Sequence, residues 1–249
     1  MSEMNESPKK LNEEYDAWHR ERAGSDDGAL QMPWYDSVYR EILKVRADHI
    51  LEVGCGRGEF AILLRSIFPN ADITAVDFSA AAIQIAKSRQ NSSNVFFQQA
   101  DACFLPFENE SFDLVISCEC MEHVENPRSM AQELSRVSKR GANVCITTEN
   151  YFNGMLLARL HAWITKHPFD SGSGVQPREN LFFFWIVRRY LEEAGLRVER
   201  TESSYYQWLL LPRVAPSSLC TRYFKSKAVQ RLMKPFGRHF SYFSRKPLE

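Results

Sequence analysis

At 249 residues the chain is long enough to build one large α/β core. Its 44% hydrophobic and 25% charged content, with 31 basic residues against 31 acidic ones, excludes a disordered chain and gives no overall charge for drawing nucleic acid. No run approaches the roughly 20 apolar residues that a membrane span needs, and six cysteines without a CxxC pair, mostly inside apolar runs, read as reduced thiols of a cytoplasmic protein.

In chain order, residues 1–33 read as an N-terminal arm able to act as a mobile lid, with Leu11, Tyr15, Trp18 and Arg22 spaced to share one face of a short helix. A helix is predicted over 34–45, then a first strand at 49–53. After a glycine-rich turn come a helix over 59–67 closed by Pro69, a strand at 71–77, and an Ala-rich helix to residue 89 with Ser79 as its N-cap. Strands at 94–100 and 112–117, a helix over 127–138 and a strand at 142–148 continue the alternation. That alternation implies a doubly wound parallel sheet with helices on both faces.

Residues 149–181 interrupt it and read as a cap insertion over the sheet edge where ligands of such folds bind. A helix over 182–194 stopped by Gly195, a strand at 196–202, a helix over 217–233 and a strand at 239–245 complete residues 34–249 as one domain. The segment 203–236 is basic, and no Asp or Glu occurs between Ser203 and Leu248. Leu219, Cys220, Tyr223, Phe224, Leu232 and Met233 recur there at helical intervals among Arg222, Lys225, Lys227, Arg231 and Lys234. Such a helix has two readings, a stripe packed on the sheet or a peripheral contact with an anionic membrane surface. No nucleic-acid-binding module is recognisable.

The turn ILEVGCGRGEF, residues 50–60, carries Gly54, Gly56 and Gly58 directly after the first strand. A phosphate-cradling loop needs GxxxxGK and a dinucleotide site needs GxGxxG, whereas this chain has GxGxG followed by Glu59. A glutamate at that mouth disfavours phosphates. Asp77 ends the second strand, where a carboxylate suits two vicinal ribose hydroxyls, and Asp101 follows the third, where it can accept from a purine amino group. Asp77 also has an ordinary reading as a cap of the Ser79 helix, and Asp101 as a loop acid. Together with the glycines they describe a site for an adenosine without phosphate.

The stretches LEVGCGRGEF (51–60), AVDFS (75–79), QADACFLPF (99–107), FDLVISCECMEHV (112–124) and LSRVSKRGANVCITT (134–148), in this order and spacing, resemble the class I S-adenosylmethionine-dependent methyltransferases of the small-molecule type. The resemblance implies a Rossmann-like seven-stranded mixed sheet in the order 3-2-1-4-5-7-6, with the last strand antiparallel. It implies S-adenosylmethionine as cofactor, with Glu52, Gly54, Cys55, Gly56 and Gly58 beneath the methionine and ribose. Asp77 and Phe78 would lie at the ribose, Asp101 and Ala102 at the adenine, and the Cys118 backbone near the methionine amino group.

Methyl transfer from a sulfonium needs alignment more than it needs a metal, so no metal is expected, and a zinc reading of Cys118, Cys120 and His123 lacks a fourth ligand. A hydroxyl acceptor wants a base, and His123 is the candidate, with Glu119 and Glu122 as alternatives. Tyr151, Phe152, Trp163, Phe169, Tyr205, Tyr206 and Trp208 are expected to line an acceptor pocket. The first expectation for the acceptor is a sugar or glycan-linked hydroxyl. The alternatives are a natural-product, lipid or quinone acceptor, an aminopropyl transferase, and a cofactor-binding protein without turnover.

Overall fold

The computed structural model describes residues 8–23, 33–89, 94–152, 154–168, 176–206 and 226–249. Its strands are β1 (His49–Val53), β2 (Asp72–Asp77), β3 (Phe96–Gln99), β4 (Phe112–Cys118), β5 (Ser138–Glu149), β6 (Arg197–Ser204) and β7 (His239–Arg245). They form one sheet in the order β3-β2-β1-β4-β5-β7-β6, the order the resemblance implied. The first five pair in parallel, while β7 runs antiparallel between β5 and β6.

The central strands are buried on both faces, which is why β4 reads as a nearly unbroken apolar run instead of an alternating one. Leu114, Val115 and Ile116 are completely buried, and each contributes roughly 1.5–3 kcal/mol relative to an exposed side chain. One core lies under α2 (Pro33–Ile42), α3 (Glu59–Ile67) and α4 (Ala80–Arg89), and the other under α5 (Pro127–Val137) and α7 (Phe184–Glu193). The Ala81, Ala82 and Ala86 face of α4 is buried, so this helix lies close to the sheet because its contact side chains are small.

Local signals set the helix ends. Asn126 Oδ1 accepts from the backbone N–H groups of Arg128 and Ser129, each at 3.2 Å, and Pro127 follows at the first helical position of α5. Gly195, at φ +85°, stops α7.

Strand β5 begins at Ser138, four residues before its predicted start, pairing Ser138 with Phe112 across an irregularity in the ladder. The N-terminal arm is helix α1 (Pro8–Glu21), and the insertion carries α6 (Gly154–Thr165). The basic helix predicted from 217 is described only as α8 (Lys227–Met233), which has no buried residue. Arg213, Leu219, Cys220, Arg222, Tyr223, Phe224 and Lys225 lie outside the described residues, as do Phe169 and Trp208. The five described cysteines are free thiols. Among the described residues no helix is long and apolar enough to cross a membrane.

Candidate active site

A cavity of about 210 Å³ opens at the C-terminal ends of β1, β2 and β4. Gly54, Gly56, Asp77, Phe78, Asp101 and Ala102 line it, and so does His123. Glu52, Cys55 and Cys118 are buried in the strand layer, and Gly58 also lies outside the lining. The expected cofactor set therefore divides into a cavity wall and its support.

The glycines divide the same way. A Cβ on Gly54 would meet Cys120 Sγ at 2.5 Å, and one on Gly58 would meet Ala86 Cβ and Phe97 Cζ at 2.9 Å. These two glycines allow elements of the fold to approach one another. At Gly56 (φ +52°) an added Cβ would find only His19 Cε1, 3.9 Å away, so this is the position whose missing side chain leaves open space.

Asp77 serves the backbone and faces the cavity. Its Oδ2 accepts from Gly56 N–H at 2.8 Å and its Oδ1 from Ser79 N–H at 2.9 Å. A carboxylate has about four lone-pair sites, so acceptor capacity remains for donors in the cavity. Asp101 Oδ1 similarly accepts from Cys103 N–H at 2.8 Å. The ordinary readings of both acids are present alongside the functional ones.

One wall comes from the N-terminal arm, which the sequence offered as a lid without naming what it would face. Leu11, Tyr15, Trp18 and His19 of α1 line the cavity. Three of these positions were legible as one helix face, but nothing local says which residues that face covers. Asp16 Oδ1 docks α1 by accepting from Ser79 Oγ at 2.5 Å and Ala81 N–H at 3.0 Å, a second cap on α4 beside Ser79 itself. At the other end, Arg57 and Arg89 donate to the carbonyls of Arg22 and Ala23, where a helix C-terminus favours cations. Asp16→Ala should cost about 0.5–2 kcal/mol in cap energy. The expected outcome is a lower melting temperature together with faster proteolysis within 8–23, and Asp16→Asn should restore most of both.

The insertion contributes differently from expectation. Gln176 lines the cavity, but Tyr151 is fully buried, Trp163 is 76% exposed, Phe152 stacks on Phe236, and Tyr206 bonds Ser203. None of the expected aromatics that are described, Tyr205 included, lines the cavity. Phe152 instead packs into an aromatic cluster with Phe183, Phe184 and Trp185.

His123 is held from two sides. Its Nδ1 lies 2.8 Å from the Arg178 carbonyl, to which Tyr15 Oη also donates at 3.2 Å, and the Tyr15 ring packs edge-on against the imidazole. A carbonyl only accepts, so Nδ1 carries a proton and Nε2 is the ring atom that can take one up when the imidazole is the free base.

Behind it, burial pushes Glu119 up to about 7 and Glu122 up to about 8, and raises Glu149 as well. Burial and then Arg238 hold His239 down at about 3. Among the described residues the cavity lining includes Asp77, Asp101, Glu119 and Glu125 but no Lys or Arg.

Residues 51–146 match the family model described as a methyltransferase domain. Residues 51–146 thus form a methyltransferase domain on a sheet of the class I strand order. Among curated proteins, the chain is 36% identical over 110 residues to a malonyl-[acyl-carrier protein] O-methyltransferase of Paenibacillus sp. (strain JDR-2), covering 42% of the chain and 40% of that protein. It is 30% identical over 164 residues to a ubiquinone biosynthesis O-methyltransferase of Coxiella burnetii, covering 63% and 66%. The chain thus spans between 40% and 66% of the length of these two relatives. In fold it is similar to an S-adenosylmethionine-dependent methyltransferase of Mesorhizobium loti, with TM-score 0.61 and 15% identity over 86% of this chain and 98% of the other. The expected sugar acceptor finds no support in the relatives' names.

The site fits S-adenosylmethionine as cofactor. Trp18 Nε1 and His19 Nδ1 are buried polar atoms without a hydrogen-bond partner on the α1 wall. Gly56 leaves room beside them, and the acidic lining suits a cation.

Proposed function

We propose that this chain transfers the methyl group of S-adenosylmethionine to a hydroxyl of a small molecule. The observation that carries the reading is the acidic lining of the cavity, with Asp77, Asp101 and Glu125 beside the buried Glu119 and no Lys or Arg among the described lining residues. Such a wall repels a phosphorylated nucleotide and attracts a sulfonium that also carries an ammonium group. When bound, S-adenosylmethionine supplies an activated methyl carbon. Asp77 would accept from the ribose hydroxyls, Asp101 and Ala102 would meet the adenine, and Gly56 would let the backbone approach. Helix α1 would exclude water through Leu11, Tyr15 and Trp18.

His123 distinguishes acceptor classes. A carboxylate acceptor needs no proton removed, whereas an alcohol or phenol does, and an imidazole at the cavity wall whose Nε2 can take up a proton suits that task. This reading extends the names of the O-methyltransferase relatives toward the hydroxyl-bearing, ubiquinone-like side. Calorimetry with S-adenosylmethionine and S-adenosylhomocysteine tests it. Both should bind to the folded protein, while NAD and ATP should not. Failure of the first two to bind, or equal binding of a nucleotide triphosphate, would overturn the reading.

A further inference from the structure

Three strand ends meet behind the His123 side of the cavity. Glu119 follows β4, Glu149 ends β5, and His239 opens β7 directly opposite Glu149 in the antiparallel ladder. One ligand-capable atom from each residue lies within 4.8 Å of the others. His239 Nδ1 is 3.0 Å from Glu119 Oε2, and the Arg238 guanidinium meets Glu149 Oε1 at 2.8 Å.

Two oxygens of this cluster, Glu119 Oε1 and Glu149 Oε2, are buried without a hydrogen-bond partner, and the Glu149 side chain is only 8% exposed. A carboxylate oxygen withdrawn from water with no donor is unfavourable unless something positive reaches it. Arg238 provides one positive charge. Glu122, whose Oε2 accepts from Thr148 Oγ1 at 2.8 Å, adds a third buried carboxylate nearby. Three buried carboxyl groups thus gather beside one guanidinium.

We propose that Glu119, Glu149 and His239 bind a divalent transition-metal cation. Two carboxylates and one imidazole form a mixed oxygen and nitrogen donor set, which suits Mn²⁺ or Zn²⁺ better than the all-oxygen preference of Mg²⁺ or Ca²⁺. This departs from the expectation of no metal, because the sequence separates the three residues by 30 and 90 positions, and only the β4-β5-β7 pairing brings them together. Glu119 also lines the cavity, so the ion would sit in its wall. A part for the ion in activating the acceptor hydroxyl rests on the methyl-transfer reading, whereas its binding does not.

Chelator-treated wild-type protein titrated with Mn²⁺, followed by electron paramagnetic resonance of the free ion, should take up about one ion per chain, and Zn²⁺ should displace it. Pulsed resonance of the bound ion should show coupling to a histidine nitrogen. Glu149→Gln and His239→Gln, checked for folding by circular dichroism, should each weaken Mn²⁺ binding at least about tenfold. Glu192→Gln on the exposed face of α7 should leave it unchanged.

Absence of stoichiometric binding by folded wild type overturns the proposal. So does wild-type affinity in both folded cluster variants, or absence of nitrogen coupling, which decides the matter if the variants do not fold. Calorimetry with S-adenosylmethionine on the same sample separates the two readings. Cofactor binding without ion binding removes only the metal site, and ion binding without cofactor binding removes only the methyl-transfer reading.

Discussion

Asp77→Ala should weaken S-adenosylmethionine binding by about a hundredfold or more. A hydrogen bond to a charged group contributes about 1.5–3 kcal/mol, so losing two ribose contacts removes about 3 kcal/mol or more, and each 1.4 kcal/mol is a factor of ten. The substitution also releases Gly56 N–H and Ser79 N–H, the two backbone groups that Asp77 now holds. The turn should loosen and the melting temperature fall. Asp77→Asn is a sharper probe of the carboxylate, because its amide presents donors where two backbone donors already point. Its affinity should therefore stay well below wild type although its shape is nearly unchanged. Calorimetry on the folded variants measures this, and an Asp77→Ala affinity within about threefold of wild type would remove Asp77 from the ribose role.

His123→Ala should lower turnover of a hydroxyl acceptor by about 10² to 10⁴, the usual contribution of a positioned base, while cofactor affinity stays close to wild type. A loss of structure has a different signature. The variant forfeits the link from Nδ1 to the Arg178 carbonyl, but Tyr15 and the Asn180 bonds to the Glu122 and Val124 carbonyls still hold that loop. Added imidazole should restore part of the lost turnover if the ring moves a proton, and should restore none if it only braces the loop. Formation of S-adenosylhomocysteine across a panel of phenols, alcohols and carboxylic acids provides the measurement. A panel active only on carboxylates, with His123→Ala unimpaired, would reject both the base and the hydroxyl acceptor.

Several features were legible before any coordinates because they are local. Strand and helix periodicity, the Ser79 cap, the Gly195 stop, the acid ending β2 and the acid following β3 depend on residues within a few positions of one another. Motif order then carried the sheet topology, including the insertion of β7 between β5 and β6. The glycines were legible as a set, but their separate tasks were not. The neighbours that decide those tasks, Cys120, Ala86, Phe97 and His19, come from distant parts of the chain.

By itself the sequence determined a doubly wound sheet and pointed to its C-terminal edge as the place of a nucleoside site. Backbone periodicity and strand-end acids follow from short-range stereochemistry, so they are written in consecutive residues. Tertiary structure alone decided which α1 residues line the cavity and that none of the insertion's described aromatics does. It also decided that Glu119, Glu149 and His239 share one buried spot. These facts depend on which surfaces cover one another, and burial between segments far apart in the chain leaves no spacing for a reader of the sequence to find.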